Sequence, residues 1–111
     1  SLGIEKLWEK DSDQVLAFRR GNLVFVFNFS PNRSFTDYGV LAPPGKYRVV
    51  LSTDRPQFGG YGNIDEKVDH LTLYDELYAP IGKQWLKLYL PARSAQVLRL
   101  VRQRPKKNND K

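Results

Sequence analysis

Residues 15–29 read VLAFRRGNLVFVFNF, and this stretch decides the fold. Two apolar segments, Val15 to Arg20 and Leu23 to Phe29, flank Gly21-Asn22. A two-residue connection of this kind is typical of a β-hairpin whose first turn position needs a positive φ. The stretch therefore predicts two antiparallel strands joined by a tight primed turn.

The second strand of this hairpin is apolar on both faces. Because side chains alternate along a strand, Phe25, Phe27 and Phe29 share one face, and Val24 and Val26 share the other. We expect the phenylalanine face to fill the core, so that Phe27→Ala would leave the domain largely unfolded. We expect the valine face to lie under a loop or against another domain.

Further short strands follow the hairpin at roughly ten-residue spacing, separated by turns rich in Gly and Pro. They are expected at Phe35 to Val40, Lys46 to Ser52, His70 to Tyr74, Gln84 to Leu90 and Ala95 to Arg102. About seven strands with almost no helix predict an all-β fold. We expect an antiparallel two-sheet β-sandwich with Greek-key-like connections over residues 14–102.

The first thirteen residues are interpreted as a lead-in from a preceding domain. Leu2, Ile4, Leu7 and Trp8 have spacings that approximate one face of a short helix. The chain does not begin with Met, and we expect it to begin inside a longer protein.

Composition excludes several classes of protein. The chain has no cysteine, so it has neither disulfides nor thiolate metal sites. No apolar run approaches the roughly 20 residues that span a bilayer. We therefore expect a soluble, cytoplasmic protein with no membrane partner.

The formal net charge of +6 is concentrated at one end of the chain. Residues 99–111 carry six basic side chains and one acid, which leaves the rest of the chain nearly neutral. Because residues 103–111 are polar and broken by Pro105, we interpret them as a disordered tail. We expect no nucleic-acid partner. A nucleic-acid-binding or general interaction β-domain that uses this tail is retained as an alternative.

The titratable residues give no catalytic constellation. The one acidic cluster consists of Asp65, Glu66, Asp69, Asp75 and Glu76. Carboxylates this dense in loops are usually solvated, and we expect none of them to be catalytic. His70 is the only histidine, and it is interpreted as structural because a lone His makes no zinc site. No metal ion and no cofactor are expected.

Seven segments, in this order and spacing, carry a resemblance to a known family. They are VLAF (15–18) with Arg20-Gly21, FVFNF (25–29), SFTDY (34–38), PGKY (44–47), LSTD (51–54), FGGYG (58–62) and LYLPARSA (88–95). Together they resemble the C-terminal β-domain of glycogen and starch branching enzymes, of the α-amylase superfamily, over about residues 15 to 101. Ser30 stands where a His is common in the family and Phe35 where a Tyr is common. Agreement is weakest over 65–83, where loop length varies.

The resemblance implies a longer, multidomain enzyme. In that family a (β/α)₈ barrel cuts an α-1,4-glucan and transfers the segment to a 6-hydroxyl by a retaining mechanism with two carboxyl groups. The terminal β-domain packs on the barrel. The barrel motifs are not in this sequence, so the resemblance assigns no catalytic role to any residue here.

Exposed aromatic side chains are the remaining candidates for a binding role. Sugar rings present apolar faces that pack on aromatic rings, and we expect possible glucan contacts at Tyr61, Tyr74, Tyr78, Trp85 and Tyr89. The alternative is that these rings cover the edges of the core or meet the barrel. The FGGYG segment is not a phosphate loop because no helix pattern follows it, and we expect it to serve close packing. A freestanding carbohydrate-binding module is the alternative function.

Overall fold

The computed structural model describes residues 3–75 and 78–103, and eight strands account for more than half of these residues. They are β1 (Ile4–Lys10), β2 (Val15–Arg20), β3 (Leu23–Asn28), β4 (Phe35–Ala42), β5 (Gly45–Ser52), β6 (Asp69–Leu71), β7 (Gln84–Leu90) and β8 (Ser94–Gln103). One sheet has the order β1-β2-β3-β8-β5-β6, and the second consists of β4 and β7. All pairings between strands are antiparallel. The predicted two-sheet β-sandwich is confirmed.

The hairpin of residues 15–29 forms as predicted. β2 pairs with β3 from Val15 opposite Asn28 to Arg20 opposite Leu23, without a register shift. Gly21 has φ 60° at the first turn position, which glycine adopts without the steric cost that a Cβ would add.

The predicted helix in the lead-in is wrong, because β1 occupies this segment. β1 pairs with β2 and contains a register shift between Lys6 and Trp8. Leu7 at this shift is buried, and the indole Nε1 of Trp8 donates a hydrogen bond to the hydroxyl of Tyr38 at 3.1 Å. An apolar spacing that suited a helix therefore serves an irregular edge strand, which also has apolar contacts on one side. The predicted boundary between residues 13 and 14 stays a prediction.

The core lies between the two sheets, and it takes the valine face of β3. Val24 and Val26 are each 1% exposed, whereas Phe29 is 57% exposed and Phe25 and Phe27 are half-buried. The expectation that the phenylalanines fill the core is therefore wrong. The buried apolar residues of β2 and β3 are small or branched, such as Ala17 beside Val26. Opposite them, β4 and β7 contribute Val40, Ala42, Leu86, Leu88 and Leu90.

Two buried polar side chains join the sheets at opposite ends. The amide Nδ2 of Asn28, at the end of β3, donates to the carbonyl oxygens of Leu90 and Pro91 at 3.1 Å each. The hydroxyl of Thr72 accepts the N–H of Gly45 at 2.9 Å and donates to Oε1 of Gln84 at 2.6 Å. Since buried polar groups are costly without partners, these bonds fix how the sheets sit on each other.

The predicted disordered tail lies largely outside the described part of the chain. Residues 104–111 are not among the described residues, and β8 extends to Gln103. The expectation of a disordered tail over 103–111 is therefore untested beyond Gln103, which itself belongs to β8.

Candidate functional site

The loop that follows β5 is organised around one buried carboxylate. Asp54 is 5% exposed. Its Oδ2 accepts the backbone N–H groups of Asn63 at 2.6 Å and Ile64 at 2.8 Å, and its Oδ1 accepts that of Tyr61 at 3.3 Å. One side chain thereby fixes the backbone of the loop at three positions.

Glycine allows this loop to fold tightly over Asp54. A Cβ on Gly60 would collide with the backbone of Asp54, and the N–H of Gly62 donates to the carbonyl of Asp54 at 2.7 Å. Gly59, at φ 87°, ends a short 3₁₀ helix over Pro56–Phe58. The expectation that FGGYG serves close packing is confirmed at Gly60.

The folded loop forms one wall of a depression of about 280 Å³. Its aromatic lining is Phe58, Tyr61 and Tyr89, and its polar lining includes Ser34, Thr53 and Arg93. Tyr61 is 89% exposed and Phe58 is 56% exposed. Aromatic rings beside hydroxyl and guanidinium groups suit a sugar ring, which has an apolar face and a polar edge. The volume is near the lower end of the roughly 300–1,000 Å³ usual for ligand pockets.

The structure divides the five predicted aromatic contacts into two groups. Tyr61 and Tyr89 line the depression together. Trp85 packs edge-to-face against Trp8, with ring centroids 5.4 Å apart, so its ring belongs to an edge of the core. Tyr74 and Tyr78 lie between β6 and β7 and are 47% and 72% exposed. Glucan contact at all five positions stays a prediction.

Sequence reasoning missed four residues of the depression. The sequence indicates only a packing role for Phe58, although an aromatic residue beside two glycines is also compatible with a binding loop. Arg93 comes from the turn before β8, where it has φ 55°, and Ser34 and Thr53 come from two other loops. Nothing in the linear sequence brings these loops together.

The acidic cluster is distributed over separate partners. Glu66 makes a two-point ion pair with Arg55, at 2.7 and 2.8 Å. Asp69 pairs with Arg48 at 2.7 Å, and this hydrogen bond lowers the pKa of the Asp69 carboxyl. These two carboxylates are therefore held in ion pairs, and the expectation that they are simply solvated is wrong.

The other acidic residues have different positions. A carboxylate oxygen of Asp65 accepts the N–H of Lys67 at 3.0 Å. The carbonyl of Asp75 accepts the N–H of Ala79 at 3.0 Å within the connection to β7. Glu76 lies outside the described residues.

His70 lies in β6, directly opposite Tyr47 of β5. Burial lowers the pKa of its imidazole, and a hydrogen bond with the backbone of Lys87 acts in the opposite direction. Within residues 3–75 and 78–103, no group of three or more His, Cys, Asp or Glu side chains is placed to hold a metal ion. In the same ranges, no helix has the length and apolarity to cross a membrane.

The fold and its sequence define a recognised class of β-domain. Residues 8–101 match the family described as "Alpha amylase, C-terminal all-beta domain". The chain belongs to this family.

The similar curated proteins share one enzyme name. The chain is 43% identical over 92 residues to 1,4-alpha-glucan-branching enzyme 2-2, chloroplastic/amyloplastic, of Arabidopsis thaliana, covering 82% of this chain and 11% of that protein. It is 40% identical over 91 residues to the 1,4-alpha-glucan-branching enzyme of Saccharomyces cerevisiae, covering 81% of this chain and 13% of that protein. The rice enzyme, named 1,4-alpha-glucan-branching enzyme, chloroplastic/amyloplastic, is 51% identical over 63 residues, 56% of this chain and 8% of that protein.

These matches confirm the resemblance to the C-terminal domain of branching enzymes. They favour that interpretation over a freestanding carbohydrate-binding module. The chain spans about an eighth or less of the length of these curated relatives, 8–13%. The expected cytoplasmic location stays a prediction.

Proposed function

We propose that this chain is the C-terminal accessory domain of a 1,4-α-glucan branching enzyme. In this proposal the whole enzyme cuts an α-1,4-glucan and transfers the released segment to a 6-hydroxyl during glycogen or starch biosynthesis in the cytoplasm. The observation that carries the proposal is the family match over residues 8–101, together with relatives that bear this enzyme's name.

The reacting carboxyl groups of such an enzyme lie outside this chain in the proposal. A retaining transfer needs a carboxylate nucleophile and a carboxylic acid about 5–5.5 Å apart across the sugar. Glu66 and Asp69, the carboxylates of the predicted cluster with defined ion pairs, are each bound to a different arginine. The hydrogen bond with Arg48 lowers the pKa of the Asp69 carboxyl, whereas a general acid needs a raised pKa.

We propose further that the domain contacts glucan in the depression formed by Phe58, Tyr61 and Tyr89. Three features support this: the exposed rings of Phe58 and Tyr61, the polar groups beside them, and a loop whose backbone Asp54 holds in place. Because the backbone is already ordered, ordering the loop adds little to the cost of binding. The depression would hold a short part of a glucan chain away from the reacting bond.

The glucan contact is tested by titrating the chain with maltoheptaose and following backbone NMR shifts. Tyr61→Ala removes a ring of the depression, and Tyr78→Ala removes an exposed tyrosine elsewhere. Since aromatic stacking contributes about 0.5–1.5 kcal/mol, we expect Tyr61→Ala to weaken binding about two- to tenfold. Tyr78→Ala should bind as the parent chain does.

Two results would contradict the proposals separately. If the parent chain shows no shifts at millimolar maltoheptaose, or if Tyr78→Ala has the larger effect, the glucan contact at this depression is wrong. The accessory role is tested by incubating the chain with amylose and following the iodine spectrum. We expect no change in the spectrum, and branching by the chain alone would overturn the assignment of catalysis to another domain.

A further inference from the structure

The outer face of the six-stranded sheet is apolar across its three central strands. Its centre consists of Leu16 and Phe18 from β2, Phe25 and Phe27 from β3, and Ala95 and Val97 from β8, and we call these six residues the phenylalanine face. The pairing places them side by side, with Phe18 opposite Phe25 and Phe25 opposite Val97. Leu51, 45% exposed, and Phe29, 57% exposed, extend the face at its edges.

This pattern differs from that of a sheet face in contact with water. Antiparallel sheets that cover a core on one side usually carry polar residues on the other. Lys6 and Glu9 of β1 follow this rule, and so does Arg48 of β5, whereas the exposed Ile4 at the start of β1 does not. The three central strands do not follow it. A contiguous apolar patch of this kind marks an interaction surface, whereas single exposed apolar residues do not.

The ring geometry distinguishes a protein partner from a sugar. The rings of Phe18 and Phe25 are stacked with centroids 5.0 Å apart, and those of Phe27 and Phe29 with centroids 5.5 Å apart at 4°. Stacked rings cover one another's faces and offer mainly their edges. A sugar packs on the face of an aromatic ring, so this surface suits apolar side chains of a protein.

The charges around the phenylalanine face indicate an acidic partner. At one end, Arg20, Arg99 and Arg48 are exposed and lie along one line of pairing, with Leu23 between the first two. Among the residues that the structure describes, Arg48 has the carboxylate of Asp69 as its partner and no carboxylate is within ion-pair distance of Arg20 or Arg99. Arg93 lies at the opposite end, beside Phe27 and Phe29.

These arginines disfavour a second copy of the chain as the occupant. Two such faces packed on each other would bring guanidinium groups against guanidinium groups or against apolar rings, and like charges in contact are costly. The complementary surface has an apolar centre and acidic residues at its rim.

We propose that the phenylalanine face is the surface by which this domain docks on the rest of its own polypeptide, the catalytic domain. This inference rests on the proposed function. It is supported by the relatives, of whose length the chain covers only 11–13%. The docking surface and the glucan depression are adjacent, because Thr53, Arg93 and Ser94 line both the depression and a shallow hollow beside Phe27 and Phe29. Glucan bound in the depression would lie at the boundary between the two domains, where ligand sites are common.

Thiol labelling tests this assignment in the intact protein, since the chain has no cysteine of its own. Leu51→Cys places a thiol on the docking side, with Phe29→Cys as a second position. Lys87→Cys is the matched control on the outward face of β7, where Lys87 is exposed. Each variant is labelled with a maleimide both in this chain alone and in the full-length polypeptide, and the labelled peptide is quantified by mass spectrometry.

In this chain alone, all three thiols should label rapidly. In the full-length polypeptide, we expect Leu51→Cys and Phe29→Cys to label at about a tenth of that rate or more slowly still, because a covered thiol reacts only in transiently opened states. Lys87→Cys should label equally in both forms. Equal labelling of Leu51→Cys and Phe29→Cys in the two forms overturns the proposal, as does protection of Lys87→Cys alone.

Two further measurements separate this inference from the proposed function. If the chain alone sediments as a dimer and its Leu51→Cys thiol labels more slowly as the protein concentration rises, a second copy of the chain covers the phenylalanine face. In that case the proposal is wrong. If the full-length polypeptide has no branching activity while the face is protected, the proposed function fails and the docking surface stands.

Discussion

At the scale of single residues, Asp54 has the largest organising effect on the candidate site. Its carboxylate accepts three backbone N–H groups of the loop that carries Tyr61. The sequence places it within the LSTD segment of the family resemblance, but gives no sign that its partners are seven to ten residues further along. That arrangement depends on Gly60, which allows the loop to lie directly on the backbone of Asp54.

We expect Asp54→Asn to destabilise the domain and loosen the loop. The amide keeps the size of the carboxyl group, but its NH₂ must face at least one backbone N–H. A buried donor without an acceptor costs about 1–3 kcal/mol. Urea unfolding measures this loss, and binding of maltoheptaose should weaken with it. Asp65→Asn is the control, since Asp65 is exposed and accepts one N–H. Similar unfolding free energies for the two variants would contradict the role of Asp54.

At the scale of elements, β3 shows why the sequence pattern could not predict which face of the sheet is buried. Both faces of β3 are apolar, and periodicity identifies the two faces without saying which is inside. The neighbours decide it: Val24 and Val26 lie beside Ala17 of β2 and Leu98 of β8. The four small or branched side chains are buried beneath the second sheet.

A pair of aspartate substitutions tests this sidedness. Val26→Asp places a carboxylate in the core, where an unpaired charge is very costly, and we expect the domain to lose its cooperative thermal transition. Phe27→Asp removes ring stacking worth about 0.5–1.5 kcal/mol per pair but leaves the carboxylate in contact with water. It should keep a cooperative transition at a lower temperature, as seen by circular dichroism. If Phe27→Asp unfolds the domain and Val26→Asp does not, the assignment of the valine face to the core is wrong.

β1 shows that the sequence pattern of a short edge strand can resemble that of a helix. Its apolar residues suited a short helix, yet its backbone hydrogen-bonds to β2. Helix and strand patterns are hard to distinguish over so few residues, and pairing with a neighbouring strand decides between them. The hairpin was predictable because Gly21-Asn22 favours a tight turn between two strands. β7 was predictable because its strict alternation has the period of a strand and not that of a helix.

At the scale of the whole molecule, three ionisable groups make stability fall as pH falls below neutrality. Hydrogen bonds with Lys83 and Arg19 lower the pKa of Glu5, and one with Arg48 lowers that of Asp69. Burial lowers the pKa of His70. For each group the unfolded chain binds a proton more readily than the folded one, so stability falls as pH falls.

His70 accounts for the first part of this loss. Its stabilising effect is complete above its unfolded pKa, near 6.5, and is lost as pH falls through that value to the lowered pKa of the folded state. We expect the urea midpoint to decrease as pH falls from about 7 to about 5. In His70→Gln, the urea midpoint should change little with pH over this range. It should still decrease steeply at lower pH, where the carboxylates are protonated. An unchanged slope in His70→Gln would contradict the effect of burial on this pKa.

The sequence by itself determined the all-β class, the hairpin, the strands after it and the family, because these depend on local alternation, turn residues and the order of segments. Only the tertiary structure decided which face of β3 is buried, where β1 lies and which loops form the depression. These features depend on contacts between residues far apart in the chain. Two apolar faces are equivalent until the second sheet covers one of them. Phe58 and Tyr61 line one depression with Tyr89 and Arg93 because the loop that Asp54 organises lies beside the end of β7 and the turn before β8.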